Sequence, residues 1–269
     1  MVSGMSDPVL CCDLDGVIWL GSTPIRGSAA AIASLRASGR RVVFVTNNSG
    51  STRADYVAKL ELVGIPAHPD DLITSATAAA DWCAANLELD APILVHAGPG
   101  VVEALEAVGC TRLIDASLAP ASERYEAVVC GWHRDFDFDR LAAAVDALHR
   151  GARFVATNVD PTYPDVGRRL PGNGALVAAI SAAAGRGPDV VCGKPHRAMA
   201  DVVRRLVGEV GMMIGDRPST DGDFAAELGW PFALVLSGVG GPDGEEPIPD
   251  PPPAHVAADL AELATQLLR

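Results

Sequence analysis

Short apolar runs alternate with longer amphipathic stretches along almost the whole chain. Val9–Cys12 is an apolar run that predicts a buried strand, and Ser28–Ser38 predicts a helix stopped by Gly39. Arg41–Val45 is β-branched and predicts a second strand. Thr52–Val63 predicts a helix with Thr52 as its N-cap and Gly64 as its stop. A helix over Ser75–Asn86 follows, then a strand at Pro92–Ala97, a helix at Val101–Val108, a strand at Glu126–Gly131, a helix at Phe138–Arg150 and a strand at Arg153–Ala156. The last third repeats the rhythm: strand Val190–Cys192, helix His196–Val207, strand Met212–Ile214, helix Thr220–Leu228, strand Phe232–Leu236 and helix Ala257–Leu268. Such alternation predicts an α/β fold with a mainly parallel sheet. The middle third carries its own βα rhythm, so two sheets are expected rather than one.

Two segments interrupt this pattern. Thr157 to Gly174 is long, polar and rich in Pro and Gly, and it carries Tyr163 among many side-chain donors and acceptors. Loops of that length inside compact domains are usually functional or disordered, and its place between strong elements together with Tyr163 and its many donors and acceptors favours a functional role. Gly238–Pro253 is acidic and rich in Gly and Pro, and reads as a surface loop.

Composition sharpens the class. Apolar residues make up 49% of the 269 residues, aromatics only 5%, and mean hydropathy is +0.21. A core built largely of Ala, Val and Leu suits helices layered on a buried parallel sheet. The length leaves room for one large domain or two modest ones. With 21 Lys+Arg against 34 Asp+Glu the formal charge is −13, which argues against nucleic-acid polymers and anionic membranes as partners. Any anionic substrate would need local cations. The six cysteines include no CxxC pair and read as buried, reduced thiols of a cytoplasmic protein. Neither a signal peptide nor a membrane-spanning stretch is expected. His68, His96, His133, His149, His196 and His255 lack metal-ligand spacing and read as structural or surface residues. Trp19 reads as a packing residue. Gly98-Pro99-Gly100 matches a dinucleotide-binding glycine loop poorly.

Chemistry concentrates in four polar clusters, each following an apolar strand: Asp13-Leu-Asp15, Thr46-Asn47-Asn48-Ser49, Gly193-Lys194-Pro195, and Gly215-Asp216 through Asp221. If the four strands lay parallel in one sheet, their C-terminal ends would bring the clusters together, where ligands bind in such sheets. Asp13 and Asp15, two residues apart, start on the same face of a strand. Paired carboxylates repel unless a cation or a shared proton relieves them. The inventory suits Mg2+, which prefers oxygen ligands, together with a phosphate held by Thr46 or Ser49, Asn47 and Lys194. A carboxylate can attack phosphorus to form an aspartyl-phosphate. Mg2+ and Lys194 would relieve the repulsion between the two anions. A second carboxyl two residues on could protonate the departing alkoxide.

The ordered motifs DLDGVIW, VTNNS, GKP and GDRPSTD resemble motifs one to four of the haloacid dehalogenase superfamily. The insertion between the second and third motifs resembles the large α/β cap of subclass IIA, which includes 4-nitrophenylphosphatase-, glycerol-phosphate- and phosphoglycolate-phosphatase-like proteins. That resemblance implies a Rossmann-like parallel-sheet core over residues 1–76 and 188–269, and a smaller inserted α/β cap over 77–187. It implies a Mg2+-dependent phosphatase acting on a small phosphorylated metabolite through an aspartyl-phosphate. Asp13 would be the nucleophile and Asp15 the general acid/base. Asp13, the backbone carbonyl of Asp15 and Asp216 would hold Mg2+, with Asp221 in support. Thr46, Asn47, Asn48 and Lys194 would bind phosphate, while Asn158, Asp160 and the loop to Tyr163 would select the leaving group. A homodimer through the caps also follows from the resemblance alone. A phosphotransferase or phosphomutase of the same superfamily, and a non-catalytic binding protein on this fold, are the alternatives. An acid at position 15 argues against a dehalogenase, because halide release needs no proton donor.

Overall fold

The computed structural model of the chain describes residues 8–120, 123–165, 168–240, 246–250 and 252–269. In chain order it begins with β1 (Val9–Cys12), a short hairpin of β2 (Trp19–Leu20) and β3 (Thr23–Pro24), α1 (Ser28–Ala37), β4 (Val42–Thr46), α2 (Arg53–Leu62), β5 (Leu72–Thr74) and α3 (Ser75–Asn86). The middle contributes β6 (Ile93–His96), α4 (Pro99–Ala107), β7 (Leu113–Asp115), β8 (Ala127–Cys130), α5 (Phe138–His149), β9 (Arg153–Ala156), β10 (Thr162–Asp165), β11 (Arg168–Pro171), α6 (Asn173–Ala184) and β12 (Val190–Val191). The chain ends in α7 (Arg197–Val207), β13 (Gly211–Gly215), α8 (Asp223–Leu228), β14 (Phe232–Val235), β15 (His255–Ala257) and α9 (Leu260–Leu267).

Local chemistry explains the helix ends. Thr52 caps α2 in a full capping box with Asp55, and Thr74 and Asp137 accept backbone N–H bonds at the starts of α3 and α5.

Two parallel sheets result. The first runs β15-β14-β13-β1-β4-β5, and the second runs β12-β9-β8-β6-β7. The first sheet's side chains alternate as a strand period requires. Leu10, Cys12 and Phe44 pack with Ile32, Leu35, Leu60 and Leu263 on one face. Cys11, Val43, Val45 and Met213 face the other way, into a layer that continues through Ala79, Met199 and Val203 to Ile93, Val95 and Val129 of the second sheet. The second sheet's far face packs on α5 and α6 through Leu148, Leu176 and Ile180. All six cysteines are buried and unpaired. No helix among the described residues is long and apolar enough to cross a membrane.

Several elements were not foreseen. Inside the 157–174 segment, β10 and β11 form an antiparallel hairpin. The stretch over 173–184 is helical. Where a helix was expected from Thr220, the chain makes a π-helical turn over Pro218–Gly222 before α8 begins. Ala257, expected to open the last helix, instead closes β15. Of the 238–253 loop, residues 241–245 and 251 lie outside the described residues.

Candidate active site

β1 lies between β13 and β4, so whatever follows it stands at the centre of the sheet's C-terminal edge. Asp13 is there, its backbone N–H donating to Ile214 at 2.9 Å. The chain then turns sharply at Gly16, whose φ is +88°. That glycine is required twice over. Its dihedral disfavours a side chain, and a Cβ there would land on the Asp216 carboxylate. Asp216 follows β13 and accepts a bond from the Val239 N–H at 2.6 Å. The π-helical turn carries Asp221 back beneath the strand end, where Arg217 N–H donates to it at 3.1 Å.

Asp13, Asp216 and Asp221 are all buried, and one carboxylate oxygen from each lies within 4.8 Å of the others. The Lys194 ammonium sits 2.9 Å from Asp13 Oδ1 and 2.6 Å from Asp221 Oδ1, and also donates to the Val45 carbonyl at 2.9 Å. Burial raises the Asp13 pKa well above the usual carboxylate range; Lys194 resists this, and Asp221, Asp216 and Asp15 add to it. Burial and then the neighbouring Asp221 push Asp216 up to about 7. Desolvation works against the Lys194 charge, but Asp13 and Asp221 outweigh it and raise its pKa. Among the described residues Lys194 is the ammonium in contact with this buried acid cluster, and burying unbalanced charge is costly. An oxygen-only donor set with excess negative charge fits a hard divalent cation.

Asp15 stands apart from that cluster. It is half-buried, and its Oδ1 accepts the Trp19 indole N–H at 3.0 Å. Burial raises its pKa, while Lys59 and the Trp19 bond pull it down.

The third polar cluster reaches the site by a different route from the one expected. Its strand, β12, pairs with β9 in the second sheet, so only three of the four clusters follow strands of the first sheet. Lys194 is carried in by the chain returning from β12 and is locked to Asn47. Its backbone N–H donates to Asn47 Oδ1 at 2.7 Å, and its carbonyl accepts Asn47 Nδ2 at 3.0 Å. The same Nδ2 donates to Asp160 at 2.9 Å, and Asn158 donates to the Asn47 carbonyl at 2.6 Å. The Asn47 amide thus ties the end of β4 to the returning chain and to the 157–174 segment. Beside it, Thr46 Oγ1 accepts the Asn48 N–H at 3.1 Å, and Asn48 Oδ1 accepts the Gly50 N–H at 3.0 Å. The Ser49 hydroxyl pairs with Thr157 at 3.0 Å.

These groups surround a pocket of about 610 Å³ of empty space, part of it open to solvent. Asp13, Asp15, Thr46, Asn47, Asn48, Asn158, Asp160, Lys194 and Asp216 all line it; Asp221 lies behind Lys194. Trp132, Thr162, Arg217 and Thr220 line it too and were not singled out from sequence. Arg217 and Thr220 lie within the fourth cluster. Trp132 follows β8 much as Asp13 follows β1, a positional signal that sequence offered. Its ring meets Tyr163 edge-on at 5.3 Å, and its Nε1 donates to the Pro171 carbonyl at 3.0 Å. The Gly98–Gly100 segment serves packing. A Cβ on either glycine would strike the backbone of residues 49–51, so glycine lets α4 start directly against the loop after β4.

Sequence comparison agrees with this architecture. A profile described as haloacid dehalogenase-like hydrolase matches residues 10–111, and a second, described as HAD-hydrolase-like, matches 191–263. The D-glycerol 3-phosphate phosphatase of Mycobacterium tuberculosis is 35% identical over 259 residues, spanning 94% of this chain and 70% of that protein. The chain belongs to the haloacid dehalogenase-like hydrolase family. Another relative is the 4-nitrophenylphosphatase of Schizosaccharomyces pombe, 34% identical over 281 residues, or 95% of this chain and 93% of that one. Among solved structures of the family, glycerol phosphate phosphatase from M. tuberculosis in complex with magnesium matches with a TM-score of 0.82 and 33% identity, covering 96% of this chain and 76% of that one.

Proposed function

We propose that this chain is a Mg2+-dependent phosphatase that hydrolyses a small phosphate monoester through an aspartyl-phosphate on Asp13. One observation carries the reading: the Asp13, Asp216 and Asp221 carboxylates converge within 4.8 Å under a pocket, with the Lys194 ammonium against two of them. Relatives named as glycerol phosphate and 4-nitrophenyl phosphate phosphatases support the substrate class, and a magnesium-bound neighbour supports the metal.

Asp13, Asp216 and the Asp15 carbonyl would hold the ion, with Asp221 anchoring Lys194. Bound there, Mg2+ would supply charge neutralisation for two anions that must meet. The protein's own groups do the rest. Asp13 attacks phosphorus, and the P–O bond to the alcohol breaks. Asp15, whose pKa is raised by burial, gives its proton to the departing oxygen and takes one back from the attacking water. Thr46, Asn48 and the Asn47 backbone surround the phosphate with donors, and Lys194 holds the nucleophile's charge.

The leaving group would lie toward Trp132, Asn158 and Tyr163, while Asp160 braces Asn47 at the phosphate end. The proposed division into a core of 1–76 and 188–269 and a cap of 77–187 is supported by the two separate sheets, the second of which closes with β12 just beyond that boundary.

Hydrolysis of 4-nitrophenyl phosphate with Mg2+ and with EDTA tests the function. Activity is expected with the metal, abolished by EDTA, and reduced by at least about 10³-fold in Asp13→Asn. Full turnover in that variant would exclude the aspartyl-phosphate route. Phosphate transfer to an added sugar phosphate rather than to water would identify a phosphomutase.

A further inference from the structure

Trp19 is almost fully buried, at 1% exposure, yet its one polar atom is spent on the site. Its indole Nε1 donates to Asp15 Oδ1 at 3.0 Å. The backbone reinforces the pairing: Asp15 and Trp19 form an isolated β-bridge, and Gly16 N–H donates to the Trp19 carbonyl at 2.7 Å. From α2, the Lys59 ammonium lies 3.8 Å from the centre of the indole ring and donates to the Gly21 carbonyl in the β2–β3 turn at 2.9 Å. A cation on that face holds the ring by cation–π attraction while its second bond fixes the hairpin that carries the ring.

We propose that Trp19, clamped by Lys59, is the positioning residue that determines which oxygen of Asp15 delivers the proton to the leaving group. An indole N–H can only donate, so the oxygen it meets must accept. The carbonyl oxygen of a carboxylic acid is a stronger acceptor than its hydroxyl oxygen, so this bond favours Oδ1 as the carbonyl oxygen and Oδ2 as the carrier of the acid proton. The same bond, together with the backbone bridge, holds the carboxyl of Asp15, which lines the pocket, in one orientation. In the first half-reaction an Asp13 oxygen bonds to phosphorus, the phosphorus–alcohol bond breaks, its electron pair stays on the alcohol oxygen, and that oxygen takes the proton from Oδ2. In the second half-reaction water attacks phosphorus, the bond to Asp13 breaks, and Oδ2 recovers a proton from the water. Without the indole N–H the two oxygens become interchangeable and the carboxyl turns freely, so the donor faces the leaving oxygen for a smaller fraction of encounters.

This inference rests on Asp15 as the general acid, and the leaving group separates the two ideas. Departing 4-nitrophenolate is stable without a proton, whereas the alkoxide of glycerol 3-phosphate is not. Comparison of kcat/KM is the suitable readout, because it covers the steps up to loss of the alcohol and not the shared hydrolysis of the aspartyl-phosphate. Trp19→Phe keeps the buried ring and deletes the donor. It is expected to lower kcat/KM for glycerol 3-phosphate roughly tenfold more than for 4-nitrophenyl phosphate, and Asp15→Asn to widen that gap toward about 10²-fold. Lys59→Met, which keeps the aliphatic stem under the ring, is expected to shift the ratio in the same direction by less, and decides the matter if Trp19→Phe does not fold. An unchanged ratio in Trp19→Phe, or in Lys59→Met if that variant must decide, alongside a shifted ratio in Asp15→Asn would overturn the positioning role alone. An unchanged ratio in Asp15→Asn would overturn the general-acid reading beneath it.

Discussion

At the scale of single residues, Lys194 has the most to balance. Its ammonium faces Asp13, Asp221 and the Val45 carbonyl, all at 2.9 Å or less, and it is itself buried. Removing one partner of a buried ion pair leaves the other charge stranded, at a cost of about 3–5 kcal/mol. Lys194→Met is therefore expected to lower the free energy of urea unfolding by about that amount when metal is absent, and by less when Mg2+ is present to compensate Asp13. Activity should fall by about 10²–10³-fold, the usual loss when one preorganised electrostatic group is taken from a transition state. A variant as stable as the parent in EDTA would mean that the cluster carries little net charge. Asp13 and Asp15, two residues apart in sequence and alike in chemistry, are separated by their surroundings. Asp13 meets a lysine and two acids, whereas Asp15 meets an indole N–H with a more distant lysine.

At the scale of elements, the 157–174 segment has two functions that sequence could not separate. Asp160 bonds to Asn47, which in turn fixes Lys194, so Asp160 supports the phosphate end of the site. Tyr163 instead packs edge-on against Trp132. Asp160→Ala is expected to depress kcat/KM on all phosphate monoesters together, and Tyr163→Ala to change their ranking while 4-nitrophenyl phosphate turnover falls less than about tenfold. A screen of a few dozen phosphorylated metabolites with both variants would test this; the reverse assignment would refute it. The strongly apolar strands β1, β4, β8, β9, β13 and β14 were legible because burial on both faces leaves an unbroken apolar run. β10 and β11 were hidden because Thr-Tyr-Pro-Asp and Arg-Arg-Leu-Pro carry no alternation, and α6 because an Ala-rich stretch has no polar face to reveal its period. The chemistry of the four clusters could be read directly. The sheet to which the Gly193-Lys194 strand belongs could not, because Val190–Val191 is too short to encode its partner.

At the scale of the whole molecule, Asp13 and Asp216 stand buried at the C-terminal edge of the first sheet, which shares one apolar layer with the second, so their protonation is tied to the stability of the entire fold. Asp13 and Asp216 have folded pKa values above the ordinary carboxylate range, Asp216 at about 7. A raised acid binds more protons folded than unfolded, so its stabilising contribution is complete at low pH and is lost as pH rises through the folded value. His96, lowered to about 4 by burial and its neighbour His133, works in the opposite direction. That opposition ends near pH 6.5, above which an unfolded histidine is largely neutral as well. Between about pH 6.5 and 8 the raised carboxylates of Asp13, Asp15, Asp160 and Asp216 act in one direction, and the metal-free protein is expected to melt at a lower temperature at the higher pH. Mg2+ competes with protons for the Asp13 and Asp216 oxygens, so its stabilisation should grow across that interval, reaching about 2.7 kcal/mol where free ion stands at roughly a hundred times Kd. Thermal melts at both pH values, with EDTA and with Mg2+, measure the two slopes. Equal metal-induced gains at both would place the ion on ligands other than these titrating carboxylates, and a pH-independent metal-free melt would mean that Asp13 and Asp216 already share their charge with Lys194.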